Sequence, residues 1–163
     1  MTKSQAAMLG VGGVLVLAWL TRPKGTVTTS EEYDLSPYGG PTNYSPKVRA
    51  FADAIARAEG FYVAGSVPQR ARNPGDLKIP NWTGPVLGEG ISVFESVDQG
   101  WNALYRQLQF IIDGRSRVYN LDFTIRDMGR KYTATLTEQD AWANNVARVL
   151  NVPVDTPLWQ VLV

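Results

Sequence analysis

The sequence predicts a mostly helical α+β domain that carries a small β-sheet and occupies residues 46–163. Helix-capping signals recur along this stretch, and apolar residues return at helical spacing after most of them. Residues 78–94 break that pattern, because they carry Pro and Gly among short β-prone pieces. The resulting order of helix, small sheet and several further helices is typical of the α+β class.

The first helix is predicted over residues 46–59. Ser45 followed by Pro46 is an N-cap with proline at the first helical position, and Gly60 is a typical residue to end a helix. The apolar face of this helix passes through Val48, Ala52, Ile55 and then Glu59. The helix is therefore expected to end with a carboxyl group on the side that faces the core.

Residues 78–94 are expected to form two or three short strands. The long helix after them begins at Ser96, which forms a capping-box pattern with Gln99, and it ends near Gly114. Its apolar positions are Val97, Trp101, Leu104, Leu108 and Ile111.

Three shorter helical segments complete the predicted domain. One of them covers residues 124–130. Thr137 with Asp140 caps the second. The apolar face of this second helix carries Trp142, Val146 and Val149. Thr156 followed by Pro157 repeats the cap-plus-proline signal and predicts a last helical turn.

Two further segments precede the domain. Residues 6–20 are uncharged and mainly apolar, which is shorter than the roughly 20 residues that cross a bilayer comfortably, although about 17 suffice. We expect residues 1–22 to be a transmembrane anchor, with a cleavable signal peptide or a buried soluble segment as the alternatives. Residues 23–45 are rich in Pro, Gly, Ser and Thr and are expected to form a flexible linker.

The composition narrows the chemistry that the chain can perform. The absence of Cys and His excludes disulfides, thiolate nucleophiles, Ser-His-Asp catalysis and metal sites built from thiolate or imidazole. No group of Asp and Glu forms a convincing calcium loop, so neither a metal nor a cofactor is expected. With 16 basic and 15 acidic residues, the chain has no electrostatic sign of nucleic-acid binding.

Glu59 is the most informative candidate. A carboxyl group at the core-facing end of a helix is desolvated and lies at the negative end of the helix dipole, and both effects raise its pKa. A glutamic acid with a raised pKa is suited to general acid catalysis near neutral pH. Gly60 then lets the chain turn sharply beside it. The alternative is that Glu59 points into water near the helix end, as most glutamates do.

Residues 71–77 are the second candidate region. Asn73 and Pro74 followed by Gly75 and Asp76 predict a tight turn. Such a turn is able to hold amide groups and the Asp76 carboxylate near Glu59, which makes Asn73 a candidate substrate contact. The alternative is a turn with a purely structural role.

Several short motifs together resemble one protein family. They are AEGF at residues 58–61, RNPGDL at 72–77, FES at 94–96, GWNAL at 100–104 and GRKY ending at Tyr132. The combination resembles the lysozyme-like peptidoglycan-degrading domains of phages and prophages, which are lytic transglycosylases or muramidases. Arg72 and Asp76 stand where that family often has Asn, and the Pro-rich stretch expected after the tyrosine is missing.

The resemblance implies a lysozyme-like fold in which Glu59 protonates the β-1,4 glycosidic oxygen between N-acetylmuramic acid and N-acetylglucosamine. A lytic transglycosylase needs only this carboxyl group, since the substrate's C6 hydroxyl closes a 1,6-anhydro ring while Glu59 switches from acid to base. A hydrolase normally uses two carboxyl groups. Asp76 is the first choice for the second, followed by Glu89 and Glu95, and the alternative for each is a solvated or capping group.

The resemblance also assigns a role to Tyr132, which matches the tyrosine of the family and is expected to bond the substrate or Glu59. A buried core tyrosine is the alternative.

Five further aromatic side chains are candidates either for binding sugar or for the core. Phe61, Tyr62 and Trp82 are candidates for stacking on sugar rings, although Trp82 is also suited to covering the sheet and Phe61 to filling the core. Trp101 and Trp142 lie on periodic apolar faces and are expected in the core.

The preferred hypothesis is a membrane-anchored enzyme that cleaves peptidoglycan glycan strands in phage entry or lysis, as a lytic transglycosylase or muramidase. The anchor would lie in a virion membrane or in the bacterial inner membrane, and the linker would let the domain reach the cell wall. The alternative is a non-catalytic glycan-binding or structural virion protein that keeps the lysozyme-like fold.

Overall fold

The computed structural model describes residues 44–163, of which about half are helical. The helices are α1 (Pro46–Ala58), α2 (Val67–Arg70), α3 (Val97–Ile112), α4 (Ile125–Tyr132), α5 (Leu136–Leu150) and α6 (Leu158–Leu162). The strands are β1 (Val86–Leu87) and β2 (Ile91–Ser92), which pair antiparallel with Val86 opposite Ser92. The prediction of a mixed domain with a small sheet is confirmed.

The structure does not describe most of the two segments predicted before the domain. The predicted anchor at residues 1–22 and residues 23–43 of the predicted linker lie outside the described residues. Within residues 44–163, no helix combines the length and the apolar character needed to cross a bilayer.

Helix α1 lies at the centre of the core, where it packs against α3, α5 and α6. Its buried side chains are Val48, Phe51, Ala52, Ala54, Ile55 and Ala56. Each large apolar side chain that is removed from water contributes about 1.5–3 kcal/mol. The C-terminal end of α1 is therefore held in place from several sides, which fixes the position of the residue that follows it.

Side chains cap α1 and α3 as the sequence predicts, with one difference. Ser45 Oγ accepts a hydrogen bond from the Val48 N–H at 3.2 Å, and Ser96 Oγ accepts one from the Gln99 N–H at 3.2 Å. The capping box at Ser96 is incomplete, because Gln99 Oε1 accepts from the N–H of Glu95, one residue before the cap.

Several helix boundaries differ from the predicted ones. Helix α4 continues to Tyr132, two residues beyond the predicted end at position 130. The N-cap of α5 is Thr135 and not Thr137, because the Thr135 carbonyl accepts the first backbone hydrogen bonds of that helix. Helix α6 follows Pro157 and has no side-chain cap.

The prediction of a core position is wrong for two residues. Val97 is 41% exposed and Val149 is 36% exposed. Val97 is the first residue of α3 and Val149 lies next to the last residue of α5, so both occupy helix ends that reach the surface.

Helix α2 is a single turn that the sequence analysis did not predict. Ser66 Oγ accepts a hydrogen bond from the Gln69 N–H at 3.3 Å, and Pro68 occupies one of the first helical positions. A related signal is therefore present at Ser66, with proline one position later than in α1, and it introduces only four residues.

Gly100 allows α3 to pack closely against the turn at residues 71–77. A Cβ atom at this position would lie 1.9 Å from the backbone oxygen of Arg72 and 2.9 Å from Cδ of Pro74. The first of these neighbours is main chain and has no rotamer through which it can move aside. The absence of a side chain at Gly100 is therefore a requirement of the fold.

Gly100→Ala is expected to lower the free energy of unfolding by about 2 kcal/mol. Overpacking costs about 1–3 kcal/mol, and an approach of 1.9 Å to a main-chain oxygen belongs at the upper end of that range, whereas the better helix propensity of Ala recovers only about 1 kcal/mol. Urea denaturation measures the difference. Asn144→Ala, at an exposed position of α5, serves as the control and is expected to stay within about 0.5 kcal/mol of the wild type. Equal stability of Gly100→Ala and wild type would contradict the close approach.

Candidate active site

Glu59 is the C-cap residue of α1, and the chain turns away immediately after it. The Gly60 N–H bonds the Arg57 carbonyl at 3.1 Å and the Phe61 N–H bonds the Ala56 carbonyl at 2.9 Å, which is the Schellman arrangement. Gly60 has a φ of +74°, a conformation that favours glycine. The side chain of Glu59 is left pointing inward and is only 4% exposed. Glu59 is therefore not a solvated surface group.

The Glu59 carboxyl group is oriented by a hydrogen bond from another helix. Nε1 of Trp142, on α5, donates to Glu59 Oε1 at 2.7 Å. Hydrogen bonds to an ionised acceptor are short and strong, so this contact stabilises the carboxylate form while burial disfavours it. The prediction that Trp142 is a core residue is confirmed, since it is buried in the hydrophobic core, but its indole N–H belongs to the site.

Tyr132, at the end of α4, is fully buried and lies against this pair. Its ring stacks on the Trp142 ring with centroids 4.3 Å apart and an interplanar angle of 22°. Its hydroxyl donates to the carbonyl oxygen of Gly75 at 2.7 Å. Tyr132 therefore connects α4 and α5 to the turn at residues 71–77. This arrangement agrees with the alternative given for this residue, a tyrosine buried in the core.

Gly129 allows α4 and α5 to come close enough for this stacking. A Cβ atom on Gly129 would lie 2.8 Å from the backbone oxygen of Gln139 and 3.0 Å from the Cβ of Ala143. Tyr132 lies three residues further along α4 and Trp142 lies next to Ala143. The contact between the two helices therefore sets the distance between the two rings.

Asn73 is fully buried and binds only main-chain groups among the contacts seen for it. Its Nδ2 donates to the carbonyl oxygens of Leu77 and Ser92, each at 2.9 Å, and its Oδ1 accepts from the Leu77 N–H at 2.9 Å. These three bonds hold the turn against β2. Asn73 therefore has a structural role in this turn. A contact between Asn73 and a substrate remains a prediction.

The two positions that depart from the family's motif share a backbone conformation. Arg72 has a φ of +54° and Asp76 a φ of +49°. Among residues other than glycine, Asn and Asp enter this left-handed region most readily, which gives a physical reason for Asn at both positions. The side chain of Arg72 bonds the carbonyl oxygen of Phe94 and ties the turn to the residues that follow β2.

Asp76 is the second buried carboxyl group of the described residues. It is 1% exposed, and its Oδ1 has no hydrogen-bond partner among residues 44–163. Burial raises the pKa of Asp76 to about 7, and the nearby Lys78 opposes that increase. The alternative of a solvated or capping group does not describe Asp76. It does suit Glu89 and Glu95, which are exposed, and Glu95 Oε2 accepts from Gln99 Nε2 at 3.1 Å.

Tyr119 is a further buried polar residue, and no motif or spacing in the sequence identified it. It is 2% exposed, and its hydroxyl has no hydrogen-bond partner within the described part of the chain. Burial, followed by the negative charge of Glu59, raises the pKa of Tyr119 above its usual range. Tyr119 lies in the loop after α3, which has no apolar periodicity, so no pattern in the sequence distinguishes it. Its backbone N–H donates to Ser116 Oγ at 3.1 Å, which fixes the loop.

The predicted stacking residues lie in different environments. Phe61 is buried and makes an edge contact with Trp101 at a centroid distance of 5.7 Å. Tyr62 is 52% exposed and its hydroxyl donates to Asp53 Oδ1 at 2.5 Å. Trp82 is partly buried, and its Nε1 donates to the carbonyl oxygen of Pro85 at 2.9 Å. Of these predicted residues, Tyr62 offers the largest exposed fraction to a ligand.

The site contains no arrangement suited to a metal ion. Within residues 44–163, no group of three or more His, Cys, Asp or Glu side chains is positioned to hold one. What the site does contain is an enclosed acid, Glu59, with an indole donor, and its charge acts on the buried phenols of Tyr119 and Tyr132. Such a group of residues is able to transfer a proton.

No protein-family model, curated protein or solved structure matches the chain.

Asp76→Asn is expected to change how stability depends on pH. The folded pKa of about 7 exceeds the reference value of 3.8, so the folded state holds the proton more tightly than the unfolded chain does. The free energy of unfolding of the wild type therefore falls as the pH rises from about 4 to about 7, by roughly 4 kcal/mol at most, and stays low above that range. The variant lacks this contribution, so its stability relative to the wild type rises over the same interval.

Urea denaturation across this pH range measures the difference between the two proteins. Asp122→Asn removes the same charge at an exposed position and controls for the change in net charge. A difference between Asp76→Asn and wild type that is constant with pH would contradict the raised pKa, because a missing hydrogen bond alone gives a constant offset.

Proposed function

We propose that the chain is a lysozyme-like enzyme that cleaves the β-1,4 bond between N-acetylmuramic acid and N-acetylglucosamine in peptidoglycan. Glu59 is the general acid and then the general base of the reaction. The observation that carries the proposal is the enclosed Glu59 carboxyl group at the end of α1, oriented by Trp142 at 2.7 Å. Its place in the AEGF motif supports the assignment.

The chemistry needs one proton to move in each direction. Glu59 gives its proton to the glycosidic oxygen, the bond from that oxygen to C1 of N-acetylmuramic acid breaks, and C1 acquires positive charge. The C6 hydroxyl of the same sugar then attacks C1 and transfers its proton to the Glu59 carboxylate. The enzyme returns to its starting state, and no water is consumed. The Trp142 N–H stabilises Glu59 while it is ionised between the two transfers.

The environment of Asp76 supports a lytic transglycosylase over a two-carboxylate hydrolase. Asp76 is the buried candidate for a second carboxylate, and its pKa of about 7 leaves it uncharged in mildly acidic conditions. An uncharged carboxyl group is a poor nucleophile, and it does not stabilise positive charge at C1. The 1,6-anhydro route avoids this requirement because the second nucleophile is part of the substrate.

The proposal includes the setting that the motifs imply. Residues 1–22 would anchor the chain in a virion membrane or in the bacterial inner membrane, and residues 23–45 would let the domain reach glycan strands of the cell wall. Substrate recognition would depend on sugar hydrogen bonds and aromatic contacts, with Tyr62 as the exposed aromatic candidate. This setting fits an enzyme of phage entry or lysis.

A non-catalytic glycan-binding or structural virion protein is the second candidate. The observation that favours it is that the polar groups of the site are buried or already hydrogen-bonded. Glu59 is 4% exposed, and the Tyr132 and Asn73 side chains donate to main-chain carbonyl oxygens. A protein of this kind would use Glu59 to join α1 to α5 and would not need to open the site.

Glu59→Gln is expected to abolish the clearing of a peptidoglycan suspension by the purified full-length chain. Glutamine keeps the shape of the side chain and an oxygen that accepts from Trp142, but it has no proton to give to a leaving group. The expected loss is at least about 100-fold in rate, the range in which general acid catalysis contributes. The decrease in turbidity with time is the measurement.

Glu138→Gln makes the same chemical change in the first turn of α5 and is the matched control, with an expected rate equal to that of the wild type. If wild type and Glu59→Gln are equally inactive, the enzymatic proposal is wrong and the non-catalytic candidate gains support. If both are equally active, Glu59 is not the general acid.

A further inference from the structure

Aromatic rings from α3 and from both ends of α1 form a continuous series. In order they are Tyr62, Phe61, Trp101, Tyr105 and Tyr44, and successive ring centroids lie 5.4, 5.7, 5.7 and 5.0 Å apart. Phe61 is buried, Tyr62 is 52% exposed, and the other three rings are partly buried. We call this series the aromatic surface. Contiguous exposed apolar groups of this kind often mark a place where a protein binds something.

Tyr62 is held in one orientation although it is the most exposed ring of the series. Its hydroxyl donates to Asp53 Oδ1 at 2.5 Å, and its ring makes an edge contact with Phe61 at an interplanar angle of 78°. The guanidinium carbon of Arg57 lies 5.1 Å from the centre of the same ring. A ring that is already fixed loses little conformational entropy when a ligand binds to it. Since about half of the side chain remains exposed, these three contacts orient the ring without burying it.

An ion pair borders the aromatic surface beside Tyr62. Nε of Arg57 donates to Asp53 Oδ2 at 2.7 Å, and the two side chains are 55% and 36% exposed. The opposite charges offset each other, so this part of the surface is not matched to a strongly charged ligand. A guanidinium group has five N–H donors and a carboxylate has two acceptor oxygens, and both bind hydroxyl groups well.

This combination of groups indicates the chemistry of the ligand. A pyranose ring has apolar C–H groups on its faces and hydroxyls around its edge, so flat aromatic rings beside paired charges are complementary to it. Among the described residues, the ring contacts join the members of the aromatic surface in a row. A row of rings suits an extended sugar polymer better than it suits the broad contact between two proteins.

We propose that the aromatic surface binds a glycan strand, with sugar rings against Tyr62 and against the exposed parts of Trp101 and Tyr105. The pair of Asp53 and Arg57 bonds the hydroxyls of the sugar that lies on Tyr62. The choice of a glycan as the ligand rests on the proposed function, whose substrate is a polymer of N-acetylated sugars. Binding at this surface keeps the protein on that polymer and is separable from the cleavage step.

The first test measures binding to insoluble purified peptidoglycan by sedimentation, with the full-length Glu59→Gln chain so that strands are not cut. Adding Tyr62→Ala or Tyr105→Ala is expected to weaken binding by about tenfold, the effect of losing one aromatic contact. Tyr62→Phe keeps the ring and is expected to lose less affinity than Tyr62→Ala. Trp159→Ala removes a ring that is 49% exposed on α6 and is the matched control, with unchanged affinity expected.

A second measurement leaves the aromatic surface intact and does not depend on the folding of the alanine variants. A soluble β-1,4-linked oligomer of N-acetylglucosamine is added to the Glu59→Gln chain, and the indole N–H signals are followed by NMR. Each signal is assigned by its loss in the matching Trp→Phe variant. The signal of Trp101 is expected to shift and that of Trp159 to stay in place. A stationary Trp101 signal, or equal binding by Tyr62→Ala and Trp159→Ala, overturns the inference.

The outcomes separate this inference from the proposed function. If the wild type does not cut peptidoglycan but its binding depends on Tyr62 and Tyr105, the glycan-binding surface stands and the cleavage proposal fails. If the wild type cuts peptidoglycan while both alanine variants bind as the control does, the proposed function stands and the inference is wrong. If the two substitutions instead lower the mass measured by sedimentation equilibrium, the surface joins two copies of the chain, and the inference is again wrong.

Discussion

The hydrogen bond between the Trp142 indole and the Glu59 carboxyl group joins the end of α1 to the middle of α5 inside the core. A buried carboxyl group is tolerated only when other groups satisfy it, because burial removes its hydration. The Schellman turn at Gly60, the close contact of α4 and α5 at Gly129 and the stacking of Tyr132 on Trp142 each place one part of this arrangement. The fold and the candidate site thus depend on the same few contacts.

The turn at residues 71–77 extends this arrangement to the sheet. Tyr132 reaches the turn through Gly75, Asn73 holds the turn against β2, and Gly100 lets α3 lie directly on it. The carboxyl group of Asp76 is buried in this turn, and both Asp76 and Glu59 act electrostatically on the Tyr132 phenol. Their environments differ, since Trp142 donates to Glu59 whereas Oδ1 of Asp76 has no partner within residues 44–163. In the proposed mechanism, the group with this indole donor, Glu59, is the one that cycles between its acid and base forms.

Local patterns predicted the parts of the structure that local physics controls. The cap at Ser45 and the end of α1 just before Gly60 follow from capping chemistry, and spacing puts Glu59 on the line of the apolar face. Spacing alone left two alternatives for the Glu59 side chain, inward or into water, and its burial distinguishes them. The contact of Trp142 with Glu59 could not be predicted in this way, because an apolar face indicates burial but not the acceptor that an indole N–H meets across 83 residues of chain. Tyr119 lies in an aperiodic loop, and the burial of Asp76 arises from the packing of distant segments. Both depend on tertiary structure alone.

The products released from purified peptidoglycan in ¹⁸O-labelled water test the central claim most directly. If Glu59 acts without a second carboxylate, the released muropeptides end in 1,6-anhydro-N-acetylmuramic acid, are one water lighter than fragments with reducing ends, and contain no ¹⁸O. Reducing ends that carry ¹⁸O would contradict this mechanism and would indicate a hydrolase that activates water. Mass spectrometry of the released fragments distinguishes the two results.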